Sequence, residues 1–183
     1  MKEDQEILQQ FSTDTGQVKA FEWLLEKYQK PVYWHVRRIL ISHDDADDVT
    51  QNTFIKIWKS LSQFKQESKL YTWIYRIATN ESINFINQRK QHQSLEFIES
   101  EMLNHLTASN YFDGNDIQRK LQEAILTLPE KQRLVFNLKY FENMKYEEMS
   151  EVLETSVGAL KASYHLAVKK LSHLFTNEAA LKK

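Results

Sequence analysis

Two stretches of this chain carry side chains suited to recognition. In the first, Asp48, Gln51, Ile55 and Trp58 fall on one stripe of an amphipathic segment, Val49 to Leu61, with Phe54 at its margin. Charge, amide and large apolar groups together on one face suit docking of a protein partner. They also suit a helix buried on two sides. In the second, Phe64, Lys65, Lys69 and Tyr71 lead into a segment whose far side holds Thr72, Arg76, Asn80, Ile83 and Asn87. Aromatics interleaved with cations and amides can stack unpaired bases, hydrogen-bond their edges and hold phosphate oxygens. They can equally be core rings beside a solvated polar face, and the clustering on one loop and one helix face favours nucleic acid. Neither stretch holds the makings of catalysis. The chain contains no phosphate loop, no metal-ligand spacing and no nucleophile constellation, so no enzyme and no cofactor are expected.

These residues need helices to hold them. The chain has 183 residues, only three glycines, two prolines and no cysteine, which points to an all-α protein of one or two small domains without disulfides. No run of 18 apolar residues and no apolar leader is present, so a cytoplasmic location without membrane insertion is expected. The net charge is −1, and its distribution carries more information. Residues 44–48 hold four acids, whereas Thr155 to Asn177 hold none.

In chain order, residues 4–11 predict a short helix. Thr15 is a candidate cap for the next, which carries Phe21, Leu24, Leu25 and Tyr28; Pro31 predicts a kink or a break. Ser42 and Asp45 form a candidate capping box for the acidic-start helix. Its core stripe is Ala46, Val49, Thr50, Thr53, Ile57 and Leu61. The following helix would bury Leu70, Trp73, Ile74, Ile77, Ala78 and Phe85. Residues 91–115 read as a linker ended by Gly114, polar and without a sustained period. Leu95, Phe97, Ile98, Met102, Leu103, Leu106, Tyr111 and Phe112 make it apolar enough to hold a short helix or to dock on a partner. Beyond it, Asn115 or Asp116 can cap a helix bearing Ile117, Leu121, Ala124, Ile125 and Leu128, and Pro129 suits the first position of the next. Tyr146–Leu153, a turn at Glu154–Thr155–Ser156 and a basic segment from Val157 to Phe175 predict a helix-turn-helix, with Thr155 or Ser156 as the second cap.

Asp45-Ala46-Asp47-Asp48-Val49-Thr50-Gln51-Asn52-Thr53-Phe54, then Trp58, Phe64 and Tyr71-Thr72-Trp73-Ile74-Tyr75-Arg76-Ile77-Ala78-Thr79-Asn80, resembles region 2 of a bacterial sigma factor of the extracytoplasmic-function (ECF) class in the sigma-70 family. Leu126-Thr127-Leu128-Pro129-Glu130-Lys131-Gln132-Arg133 and Ser156-Val157-Gly158-Ala159-Leu160-Lys161 resemble region 4. The resemblance implies a region 2 domain at 1–90, a flexible linker at 91–115 and a region 4 domain at 116–183. It implies that Asp48, Gln51, Phe54, Ile55 and Trp58 grip the clamp coiled coil of core RNA polymerase, with the flap as a further contact. Phe64, Lys65, Lys69, Tyr71, Thr72, Arg76 and Asn80 would bind the −10 promoter element, the loop Phe64–Tyr71 and Asn80 capturing its flipped base. Ser156, Val157, Lys161, Ser163, Tyr164, His165 and Lys169 would meet the −35 element, with Lys169 and Lys170 directed at phosphate or solvent. An anti-sigma protein is a further implied partner.

Three positions depart from the family pattern. Ser163 and Val168 stand where arginines are common, and Asn87 stands where a base is common, so less phosphate charge is neutralised. Two other functions remain open on the residues alone. One is a helix-turn-helix regulator binding duplex DNA by itself. The other is a helical adaptor whose aromatic stripes bind only protein.

Overall fold

The computed structural model describes residues 2–13, 15–108 and 116–181. The described residues form nine α-helices and one 3-10 turn, with no strand among them. They divide into two compact units, residues 1–88 and 89–183.

The first unit begins with α1 (Asp4–Phe11) and α2 (Gln17–Leu40). Gly16, not Thr15, caps α2, and it offers no side-chain oxygen to the helix. The helix runs through Pro31 without a break. Pro31 faces solvent, so the carbonyl deprived of its donor can turn to water, while Val32, His35 and Val36 beyond it are buried and hold the helix in line. α3 (His43–Ser60) starts with Ser42 Oγ accepting from the Asp45 backbone N–H at 3.3 Å. That is half of the expected box; the acids in the first turn suit the helix dipole. A 3-10 turn, Leu61–Gln63, leads to α4 (Leu70–Lys90).

α4 is more enclosed than its sequence pattern predicts. Tyr75, Thr79, Ser82 and Ile86 are buried along with Leu70, Trp73, Ile74 and Ala78, whereas Ile77 and Phe85 are only partly so. Two polar residues among them are satisfied within the helix itself. Thr79 and Ser82 return their hydroxyls to the carbonyls of Tyr75 and Ala78 four residues back. Residues of this kind are uninformative in a search for apolar periodicity.

In the second unit, residues 95–108 form α5 (Leu95–Ala108), which packs on α6 (Asp116–Leu126). Ile98, Met102 and Leu106, spaced by four, are buried. A regular period was therefore present in the segment read as linker, masked by exposed Leu95, Phe97 and Leu103 on its other faces. Arg89 pairs with Glu101, and Lys90 with Glu130. The expectations for Tyr111, Phe112 and Gly114, and the cap at Asn115 or Asp116, lie outside the described residues and side chains. α7 (Glu130–Tyr140) takes Pro129 as its N-cap, one position earlier than expected. α8 (Tyr146–Leu153) and α9 (Val157–Leu181) follow. Ala124, Ile125, Leu128, Phe136, Ala167 and Leu171 form the shared core of α6, α7 and α9.

Candidate functional site

The first recognition surface is a groove between α2 and α3. It has a volume of about 610 Å³ and is lined by Val18, Phe21, Leu25, Thr50, Gln51, Phe54, Ile55 and Trp58, with Glu22 and Gln29 at hand. α3 places its members by their rotation about the helix. Phe54 turns inward and is buried; Gln51 and Asp48 stand in solvent. Ile55 is 50% exposed and Trp58 38%, so neither belongs to the core. A half-exposed indole beside an exposed isoleucine and an open groove is what a protein-docking surface requires. Four of the five residues assigned to docking by sequence, Gln51, Phe54, Ile55 and Trp58, come together here.

The second surface surrounds the 3-10 turn and the start of α4. Phe64 lies against Trp73, ring centroids 5.0 Å apart, and Tyr71 against Tyr75 at 4.4 Å. Lys65, Lys69 and Asn80 are exposed, and Arg76 and Tyr71 are half-buried. Thr72 is the correction. It was placed on the polar far side, yet it is 2% exposed, and its hydroxyl has no hydrogen-bond partner among the described residues. The first turn of α4 is buried on nearly every side, so a threonine there faces protein rather than solvent.

The third surface is the helix-turn-helix. Glu154 ends α8 in a left-handed conformation (φ 50°, ψ 43°), which turns the chain within three residues. Ser156 Oγ then accepts from the Ala159 backbone N–H at 3.3 Å and caps α9. Its hydroxyl is thus already engaged in holding the helix start. Lys161, His165 and Lys169 project into solvent, while Val157, Ser163 and Tyr164 are half-buried. Tyr164 packs against Phe136 at 5.9 Å, and burial pushes its hydroxyl pKa up. Lys170 does not point freely outward: its Nζ donates to the Thr127 carbonyl at 2.7 Å and ties α9 to the end of α6.

Two family models match this chain. Sigma-70 region 2 covers residues 24–92, and Sigma-70 region 4 covers residues 118–171. The ECF RNA polymerase sigma-E factor of Haemophilus influenzae is 31% identical over 157 residues, 80% of this chain and 82% of that protein. The chain belongs to the ECF sigma factors of the sigma-70 family. The RNA polymerase sigma-H factor of Pseudomonas aeruginosa is 28% identical over 171 residues, 88% of each chain. Among solved structures, CnrH in complex with the cytosolic domain of CnrY shares the fold with a TM-score of 0.69 at 22% identity, over 95% of this chain and 97% of that one. The sigma factor RpoE of Bartonella quintana, in complex with the anti-sigma factor NepR, also aligns at 0.69, with 19% identity over 86% and 98%.

Against this ECF sigma factor frame, several site residues escaped the sequence reading. Val18, Phe21 and Leu25 line the groove from α2, but on their own helix they look like an ordinary apolar stripe. Tyr146 was noted only as the start of a helix. Its ring lies 5.1 Å from Lys139 Nζ, 5.6 Å from Lys161 Nζ and 6.5 Å from the Tyr164 ring. The tyrosine thereby braces two of the residues assigned to DNA. Its spacing from Lys161, fifteen positions, carries no periodic signal.

Proposed function

We propose that this sigma factor joins core RNA polymerase through the α2–α3 groove, captures an unpaired base of the −10 element around α4, and reads the −35 element with α9. In this reading residues 1–90 serve polymerase and the −10 element and 116–183 the −35 element; the expected linker at 91–115 joins them, with its helix α5 packed on α6 as part of the second unit. Asp48, Gln51, Phe54, Ile55 and Trp58 meet the clamp coiled coil. Phe64, Lys65, Lys69, Tyr71, Arg76 and Asn80 receive the base and its phosphates, with Thr72 buried beneath them as support. Ser156, Val157, Lys161, Ser163, Tyr164, His165 and Lys169 form the −35 surface. The flap of the polymerase and an anti-sigma protein are the remaining partners, and the cytoplasm is the place of action.

The observation that carries this reading is the open groove with Trp58 and Ile55 at its edge in a chain of this family. Melting follows from simple energetics. Unstacking a base costs a few kcal/mol, and stacking on an aromatic ring returns roughly 1–3 kcal/mol per base. Rings at Phe64 and Tyr71 can therefore bias an opening that polymerase has made local. The protein performs no bond chemistry of its own; it supplies contacts. Near-neutral net charge fits such a division of labour, because polymerase holds both halves near DNA and raises their effective concentration. No helix among the described residues is long and apolar enough to cross a membrane.

The test is run-off transcription by core polymerase on genomic fragments, with and without the protein. Initiation at discrete sites that depends on the protein, and that fails with Trp58→Ala or Gln51→Ala in folded protein, is expected. Folded, partner-free protein that yields no transcripts would sink the proposal.

A further inference from the structure

The region 2 match begins at residue 24, yet part of the groove is built from residues before it. Val18 and Phe21 line the groove directly. Phe11, on α1, does so at one remove. Its ring meets Trp58 edge-on at 6.0 Å and 87°, and the Phe21 ring meets the same indole at 4.9 Å and 66°. Trp58 is thus in edge contact with two rings contributed by the N-terminal segment.

That segment is fastened to the rest of the first unit by specific contacts. Ile7 and Phe11 are buried. The Asp4 carboxylate accepts from the Tyr28 hydroxyl at 2.7 Å and from Lys27 Nζ at 2.8 Å. Burial and this carboxylate both push the Tyr28 pKa up, so the phenol keeps its proton and remains the donor. Gly16 allows the chain to fold back: a Cβ there would stand 2.2 Å from the Gln10 carbonyl oxygen. The turn that brings Phe11 over Trp58 accordingly has room for glycine alone without a backbone shift.

We propose that α1 and the first turns of α2 are a working part of the polymerase-docking surface, and that Phe11 is a positioning residue that fixes the Trp58 indole for its partner. The inference rests on the groove reading given above. Its physical basis is preorganisation. A partly exposed tryptophan has several rotamers open to it, and two edge-on rings packed against it select one before the partner arrives. Ordering it then costs less on binding, which is worth about a three- to tenfold gain in affinity.

The experiment uses the full chain and core RNA polymerase. Equilibrium affinity is measured for the natural protein, Phe11→Ala, Trp58→Ala and the double variant, with thermal stability recorded for each. Phe11→Ala is expected to weaken binding about three- to tenfold, and to add little once Trp58 is already alanine. Phe11→Tyr, which keeps the ring, is expected to bind normally. A merely structural role for Phe11 would lower stability without this dependence on Trp58. Should Phe11→Ala fail to fold, Phe11→Leu runs the same cycle, since it keeps apolar volume but removes the ring edge. The inference is overturned if Trp58→Ala weakens binding while the Phe11 variants do not, or if they weaken it equally in both backgrounds. If Trp58→Ala itself leaves affinity unchanged, the groove reading fails, and this inference with it.

Discussion

Lowering the pH from 7 to 5 is expected to weaken the first unit through one residue, His35. The side chain is buried between α2 and α4, with its ring 4.9 Å from Tyr75. Its tautomer follows from its neighbour. Thr79 Oγ1 donates its proton to the Tyr75 carbonyl at 2.7 Å, so its oxygen is left to accept from His35 Nε2–H at 2.8 Å. Nδ1 is then the unprotonated nitrogen, and it is buried without a partner among the described residues. A proton added there would create an unpaired charge. Burial first, and the nearby Arg38 second, hold the pKa down to about 3 from 6.5. The unfolded chain therefore takes up the proton first. Stability is full above about pH 6.5 and falls as the pH drops from there toward 3. The slope from this residue alone is about 1.4 kcal/mol per pH unit, which makes roughly 2 kcal/mol between pH 7 and 5. Urea unfolding of the natural protein, His35→Gln and His35→Phe across this range reads the difference in slope, so the variants' own baseline stability and the titration of carboxylates cancel. Equal slopes in all three, or an imidazole NMR titration with its midpoint near 6, would refute the reasoning.

Other outcomes follow from particular contacts. Lys161→Ala is expected to reduce −35-dependent transcription by holoenzyme and to lower the salt dependence of promoter binding by about one charge, measured as the slope of log affinity against log salt. Thr72→Val removes a buried hydroxyl with no partner among the described residues and keeps its shape, so stability should hold or rise by up to about 1 kcal/mol. Promoter opening, followed by permanganate reactivity, should be unchanged in that variant. Ile98→Ala is expected to cost about 2–5 kcal/mol in the second unit, read by thermal unfolding; a loss near zero would mean that α5 does not contribute to that core.

The helices were legible wherever periodicity was left undisturbed. α1, α4 and the α8–α9 pair fall where the apolar spacing, caps and turn residues put them. The misplacements share a cause. Pro31 did not break α2 because the buried residues on both sides of it outweigh one lost hydrogen bond at a solvated face. Thr72 and Thr79 look polar in sequence, yet they lie inside because α4 is buried on most of its faces and, for Thr79, because a carbonyl four residues back satisfies the hydroxyl. Tertiary surroundings of this kind have no local signature. For the candidate site, the exposed stripe on α3 was readable, since Ile55 and Trp58 lie off the core face. The opposite wall of the groove was not, because Val18 and Phe21 announce only an apolar helix face. Phe11 was the least readable, as its contact with Trp58 joins residues 47 positions apart.

The docking of α5 on α6 bears on how the protein is made. Ile98, Met102 and Leu106 leave the ribosome ahead of the helix that covers them. About twenty residues separate the end of α5 from the end of α6, which at ordinary synthesis rates is on the order of one to four seconds. During that interval the newborn chain carries a folded first half followed by a bare apolar helix face. This is the moment at which it is most exposed to chaperones and to aggregation, and a slow codon run placed between the two helices would prolong it.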